Sequence, residues 1–227
     1  MGLVTLDRKV DIISIVALLL SLSSAAYQVN EYLRGSDLKM LQPEGITIYK
    51  LPIENYGDYV SLIVPVSYVN RGAKDTDTVV VQELATISIG KSAIDLVWHQ
   101  TIAVKSASDR MDIVQERNVT PFSVAAGTYN ANLIWFTPQT VECGAIPANS
   151  SQACDQHRNY VKWGDFINIV HSEQLAGTEN ITISITARKL DEKPQTVKCT
   201  INLGPEIFSP LVKHGYYNEL CNPTADG

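Results

Sequence analysis

Ile181-Thr-Ile-Ser-Ile-Thr-Ala-Arg188 alternates apolar and polar side chains without a break, and after the turn Leu190 to Gln195 the run Val197-Lys-Cys-Thr-Ile-Asn-Leu203 does the same. A two-residue period is the strand period, because successive side chains leave a strand on opposite faces. Ile181, Ile183, Ile185 and Ala187 therefore share one face, and Val197, Cys199, Ile201 and Leu203 share the matching face of the next strand. Two such runs joined by a polar turn predict a hairpin with one buried side. Cys199 is expected to point inward.

The same alternation recurs upstream. Tyr59 to Asn70 places Val60, Leu62, Val64, Val66 and Tyr68 on one face and ends in the turn signal Asn70-Arg71-Gly72. Pro65 lies inside that run and lacks an N–H, which predicts an edge strand or a bulge there. Further strands are expected at Ile46 to Leu51, Thr78 to Ile89, Ile94 to Val104, Phe122 to Ala125 and Asn130 to Thr137, with Trp98 and Trp135 inside two of them. About eight short strands separated by polar loops predict a mainly β chain folded as an antiparallel β-sandwich of immunoglobulin-like type. No cysteine pair brackets a tryptophan at antibody spacing, so this expectation rests on strand pattern alone. One segment breaks the pattern: Tyr160, Trp163, Phe166 or Ile167, and Val170 recur every three or four residues, which predicts a short helix starting near Gly164-Asp165.

At the other end of the chain, Ile12 to Asn30 contains no charged residue. As a helix it reaches about 28 Å, close to the roughly 30 Å hydrocarbon thickness of a bilayer. The expected organisation is a short cytoplasmic tail at 1–11, a transmembrane helix acting as signal anchor at 12–33, a linker at 34–45 and an extracytoplasmic β domain at 46–227. The helical pattern can run on from Asn30 to about Met40, stopping at Gln42-Pro43-Glu44-Gly45. Arg8 and Lys9 before the span are matched by Arg34 and Lys39 after it, so flanking charge does not orient it.

Ser14, Ala17, Ser21, Ser24 and Gln28 follow at steps of three and four, and Ala25 extends the small-xxx-small spacing from Ala17 through Ser21. Such a face lets helices approach closely in lipid, so a second transmembrane helix, from a copy of this chain or another protein, is an expected partner. The alternative is a secretory signal peptide cut after the small-x-small triplet Ser24-Ala25-Ala26.

The four cysteines, Cys143, Cys154, Cys199 and Cys221, are even in number and confined to the second half of the chain. Spacing favours Cys143 with Cys154, closing a short loop, and Cys199 with Cys221, pinning the C-terminal tail to a strand. Disulfides imply an oxidising compartment, which places the β domain in the periplasm or outside the cell and supplies the orientation that charge does not.

Composition excludes several functions. The net charge is -6 with 19% charged residues, and no Lys/Arg cluster forms a basic stripe, so nucleic acid is not an expected partner. There is no Gly-x-Ser-x-Gly elbow, His-Glu-x-x-His, phosphate loop or dinucleotide fingerprint. His99, His157, His171 and His214 are scattered, with His99 read as solvent-facing. No catalytic, metal or cofactor residues are assigned. Asn118, Asn149 and Asn180 head glycosylation triplets, which matter only in a eukaryotic host. The loop closed by Cys143 and Cys154, with Ile146, Tyr160, Trp163 and Phe166, is the most distinctive candidate for partner binding, because a cross-linked loop holds aromatics ready for contact. The expected function is that of a single-pass membrane protein presenting its β domain as a binding or accessory subunit, not an enzyme. The alternatives are a secreted sandwich that binds protein or carbohydrate, and an extracytoplasmic hydrolase with dispersed carboxylates.

Overall fold

The computed structural model describes residues 8–33, 35–53, 57–73, 76–107, 110–138, 161–190 and 192–223. Helix α1 (Arg8–Leu33) is followed by β1 (Leu38–Leu41), β2 (Gly45–Ile53), β3 (Gly57–Asn70), β4 (Thr78–Ile89), β5 (Ser92–Ala107), β6 (Arg110–Asn118), β7 (Phe122–Val124) and β8 (Tyr129–Thr137). Helix α2 (Trp163–Leu175) precedes β9 (Asn180–Lys189) and β10 (Gln195–Asn202), and α3 (Pro205–His214) leads into β11 (Tyr216–Leu220) and β12 (Asn222–Pro223).

The β9/β10 hairpin forms in the register that alternation requires, with Ile181 opposite Ile201, Ile183 opposite Cys199 and Ile185 opposite Val197. β4 pairs with the other edge of β9 and brings Ile87 and Ile89 onto the same face as Ile183 and Ile181. The fold is mainly β and antiparallel. Among the described residues hydrogen bonds join twelve strands into one sheet, with the path β11-β2-β3-β8-β5-β4-β9-β10-β12. That sheet is curled until its ends meet, nearly as a barrel. Leu62, Val64, Ile134 and Phe136 join Ile87, Ile183 and Ile201 in one buried core.

Closure is made by the C-terminal tail. β11 pairs with β2 at one end of the sheet, whereas β12 pairs with β10 at the other. Cys221 lies between them and is bonded to Cys199 of β10 across a Cα–Cα distance of 5.1 Å. β1 reinforces the seam: it pairs with β3, and its Met40 N–H donates to Oε1 of Gln195 on β10 at 2.9 Å. Helices α2 and α3 lie on the core with Trp163, Phe166 and Val170 of the first and Ile207 and Leu211 of the second buried. Gly215 ends α3 at φ 74°, the left-handed conformation that favours glycine, and turns the chain directly into β11.

Several expectations are corrected. The helix does not continue to Met40: α1 stops at Leu33, and Leu38–Leu41, assigned to the linker, is a strand with Leu38 and Met40 in the core. Pro65 is in a central strand, not an edge strand. β3 pairs with β2 through Ile63 and with β1 from Ser67, so Pro65 lies opposite the break between them, where no neighbour on that side requires an N–H. β6, α3, β11 and β12 were not anticipated. β6 alternates poorly and β11 and β12 are too short to carry a period, whereas α3 does carry helical spacing in Ile207, Phe208, Leu211 and Val212, between Gly204-Pro205 and Gly215. His99 is half-buried at a β-bulge between Trp98 and Gln100. Cys143, Cys154, Ile146 and Tyr160 lie outside the described residues.

The side chains described in α1, from Ser14 to Asn30, are all exposed. Among the described residues no helix is long and apolar enough to cross a membrane. The stretch 14–30 makes about 26 Å of helix, short of the bilayer's roughly 30 Å of hydrocarbon.

Candidate binding groove

Leu62, Val64 and Val66 face the interior, which leaves Ile63 and Pro65 on the outer face of β3. Leu133 and Trp135 of β8 are their cross-strand partners. These outward residues are apolar, and Ile63 and Trp135 are buried. The cover is the far half of β5 with β6. Beyond its pairing with β8, which runs from Val97 to Thr101, β5 continues as a ribbon with β6. Ile102, Val104 and Ile113 of this arm pack with Leu51, Ile63, Leu133 and Trp135 in a second apolar cluster outside the barrel.

A hydrogen-bond chain fixes the floor of that cluster. Nε1 of Trp135 donates to Oγ of Ser61 at 3.0 Å, and the Ser61 hydroxyl donates to the carbonyl of Tyr49 at 2.9 Å. The Tyr49 ring meets Trp135 edge-on, with centroids 6.1 Å apart. Ser61→Ala would leave a buried indole N–H with no acceptor and is expected to cost about 1–2 kcal/mol of stability. Urea unfolding of the two proteins measures this, and coincident midpoints would mean that the hydroxyl does not hold the indole.

Beside the cluster, an open groove of about 530 Å³ crosses the outer face. Thr47, Ile63, Pro65 and Leu133 form its floor, Val104 of the arm one wall, and Asn218 and Leu220 of β11 its far end. Leu220, the last residue of β11, is 71% exposed. Glu44 and the backbone around Glu219 also border the groove, the Glu219 carboxylate lying with Tyr217 on the opposite face of β11. Glu219 is held in place by Tyr217, whose hydroxyl donates to its carboxylate. Burial, that hydrogen bond and the charges of Glu219 and Glu206 push the Tyr217 hydroxyl well above the ordinary tyrosine range, so it stays a donor.

A second polar feature lies inside the barrel. Glu83 of β4 is fully buried, and its Oε1 accepts a hydrogen bond of 2.5 Å from the Tyr68 hydroxyl of β3. The two strands are not neighbours in the sheet, so the bond crosses the interior. Oε2 of Glu83 has no hydrogen-bond partner among the described residues. Burial pushes the carboxyl up to about 7 against the pull of the Tyr68 hydrogen bond, and burial together with the Glu83 carboxylate drives the Tyr68 hydroxyl far above its ordinary value. A bulge around Val81 sets this geometry. Val80 is inward, the register shifts between Val80 and Gln82, and Glu83 then falls in phase with Ala85, Ile87 and Ile89.

The residues singled out from sequence are dispersed. Trp163 and Phe166, candidates for partner contact, are 8% and 0% exposed and stack within the core at 5.6 Å. That is a correction: side chains spent on the core are not available to a partner. Ser14, Ala17, Ser21, Ser24, Ala25 and Gln28 are all exposed on α1, with the Ser21 hydroxyl donating to the carbonyl of Ala17 in its own helix. Among the described residues no three His, Cys, Asp or Glu side chains come together as metal ligands. The groove and Glu83 were both missed, although each left a signal. Ile63 with Pro65 and Leu133 with Trp135 make two strands apolar on both faces, and Ile89, Ile87 and Ala85 count back to a carboxylate on the inward face.

No known protein family, curated protein or solved structure matches this chain.

Proposed function

We propose that this chain is a single-pass membrane-anchored protein. Its β domain, used in the manner of an immunoglobulin-like sandwich, serves outside the cytoplasm as a binding or accessory subunit of a membrane complex. One observation carries the reading: α1 bears no charged side chain from Ile12 to Asn30, and every described side chain in it is exposed, including Ile15, Val16, Leu18, Leu19, Leu20 and Leu22. An uncharged helix that buries its side chains against none of the described residues favours an apolar medium supplied from outside. The nineteen-residue uncharged stretch is short for a span, a mismatch that local thinning of the bilayer accommodates at modest cost. The disulfide between Cys199 and Cys221 supports an oxidising location for the domain.

The test is fractionation of the full chain expressed with a C-terminal tag. Resistance of the membrane-bound protein to carbonate extraction, with the domain degraded by protease added to intact cells or spheroplasts, is the expected result. Release by carbonate would overturn the span. So would a mature protein whose intact mass has lost the residues through Ala26, which would make this a secreted domain.

A further inference from the structure

We propose that one end of the barrel, the end that carries Tyr129 and Leu190, rests on the head-group surface of the bilayer into which α1 inserts. This rests on the membrane reading of α1, and it names the surface that the anchored domain presents to lipid. Three observations converge on it.

The chain that leaves α1 is built into that end. β3 finishes there at Asn70, β4 starts there at Thr78, β8 starts there at Tyr129 and β9 finishes there at Lys189, because neighbouring strands are antiparallel. Gly35, Ser36 and Asp37 dock on it before β1 begins. The carbonyl of Gly35 accepts from the Ala73 N–H and that of Asp37 from the Arg71 N–H, each at 2.9 Å. The side chain of the fully buried Asn70 accepts from the Asp37 N–H, and the Ser36 hydroxyl donates to the Glu192 carboxylate in the β9/β10 turn. A Cβ on Gly72 would stand only 2.6 Å from the Gly35 carbonyl oxygen, so the two segments are in direct contact. Residues 35–37 are thus a fixed part of the barrel and not a free linker.

The remaining tether is short. From Leu33, the last residue of α1, to Ser36 are three peptide steps, about 11 Å at full extension. From Asn30, where the uncharged stretch ends, the helix rises about 5 Å to Leu33. The docked residues are therefore confined to about 16 Å from the hydrocarbon edge, and head groups fill roughly 5–8 Å of that distance. Finally, the side chains at this end suit the place. Tyr129 is 62% and Leu190 54% exposed, and such aromatic and aliphatic groups are stable between head groups and acyl chains. The exposed charges there include Arg71 and Lys193 but also Asp77, so a zwitterionic lipid surface is sufficient.

The test places a fluorescent non-canonical amino acid at position 129 or 190, with position 91 as reference. Lys91 is exposed in the turn after β4, about 36 Å along that strand from Thr78. Each full-length protein is reconstituted in phosphatidylcholine vesicles at a protein-to-lipid ratio low enough to keep copies apart. Phosphatidylcholine spin-labelled on its head group is expected to quench positions 129 and 190 roughly threefold more strongly than position 91. Equal quenching at all three positions would overturn the proposal. A Gly/Ser insert of about twelve residues between Arg34 and Gly35 should lower quenching at 129 and 190 to the level of position 91. Undiminished quenching would overturn the short tether as what holds this end on the lipid.

The same fluorophore at Leu19 distinguishes this failure from that of the parent reading, with the spin label carried near the end of an acyl chain. Quenching at 19 together with equal quenching at 129, 190 and 91 would leave the anchor intact and sink the contact. No quenching at 19 would overturn the span itself.

Discussion

Stability is expected to fall by on the order of 3 kcal/mol between pH 4.5 and pH 7 through one residue, Glu83. Its carboxyl titrates at 4.5 when unfolded and at about 7 in the barrel, where burial disfavours the charge. Below pH 4.5 the group is protonated in both states, and its full contribution is present. As pH rises toward 7 the unfolded chain gives up the proton while the folded one keeps it, so the balance shifts toward unfolding by about 1.4 kcal/mol per pH unit. Above 7 both states are ionised and the loss is complete, with a carboxylate left in the core whose Oε2 has no partner among the described residues.

Glu83→Gln removes the titration and retains an acceptor for the Tyr68 hydroxyl. Denaturation midpoints at pH 5, 6, 7 and 8 should show the variant gaining on the native protein up to about pH 7 and levelling off beyond it. Other groups titrate in the same range, and Glu192 has the opposite sign: although partial burial pushes its carboxyl up, hydrogen bonds from Lys189, Ser36 and Thr78 and the charge of Lys189 bring it below the usual value. These cancel in the difference between variant and native protein. A difference that stays constant with pH would show that Glu83 is not the residue responsible.

Loss of the bond between Cys199 and Cys221 is expected to cost about 3 kcal/mol, the scale set by cross-linking a loop of some twenty residues. The structural consequence is local. The tail that begins on β2 as β11 and finishes on β10 as β12 holds the two ends of the sheet together, and Cys221 is the crossing point. Its N–H donates to the carbonyl of Glu44, and its sulfur accepts from Nε2 of Gln42, so the bond is one member of a seam. The double variant Cys199→Ser with Cys221→Ser avoids disturbing the other two cysteines. It should unfold at lower denaturant and exchange the amide hydrogens of Tyr216–Leu220 far faster than those of the β4/β9 ladder, which the seam does not close. Equal protection of β11 in both proteins would mean that the barrel closes without the disulfide.

Sequence reading succeeded wherever neighbours in the chain encode the answer. The period of Ile181 to Leu203 determined the hairpin, its register and the inward direction of Cys199. Thr78 to Ile89 gave the limits of β4. The spacing of Trp163, Phe166 and Val170 determined α2, whereas spacing favoured the pairing of Cys199 with Cys221 among three possibilities and the structure made the choice. Each of the first three is written in residues a few positions apart. Exposure is not local in that sense. Trp163 and Phe166 have the same spacing whether they face a partner or the core, and only the curled sheet beneath α2 assigns them to the core.

The same distinction separates the rest of the molecule. Composition, alternation and the uncharged run from Ile12 to Asn30 by themselves determined a mainly β, antiparallel domain with an apolar N-terminal helix. The tertiary structure alone decided that twelve strands form one sheet closed by its own tail, that Tyr68 meets Glu83 across the interior, and that the β5/β6 arm covers one part of the outer face and leaves a groove beside it. The physical reason is that these depend on which strand ends twist together over long loops, and on the bulges at Val81 and His99 that re-aim the chain. A two-residue period carries no record of either.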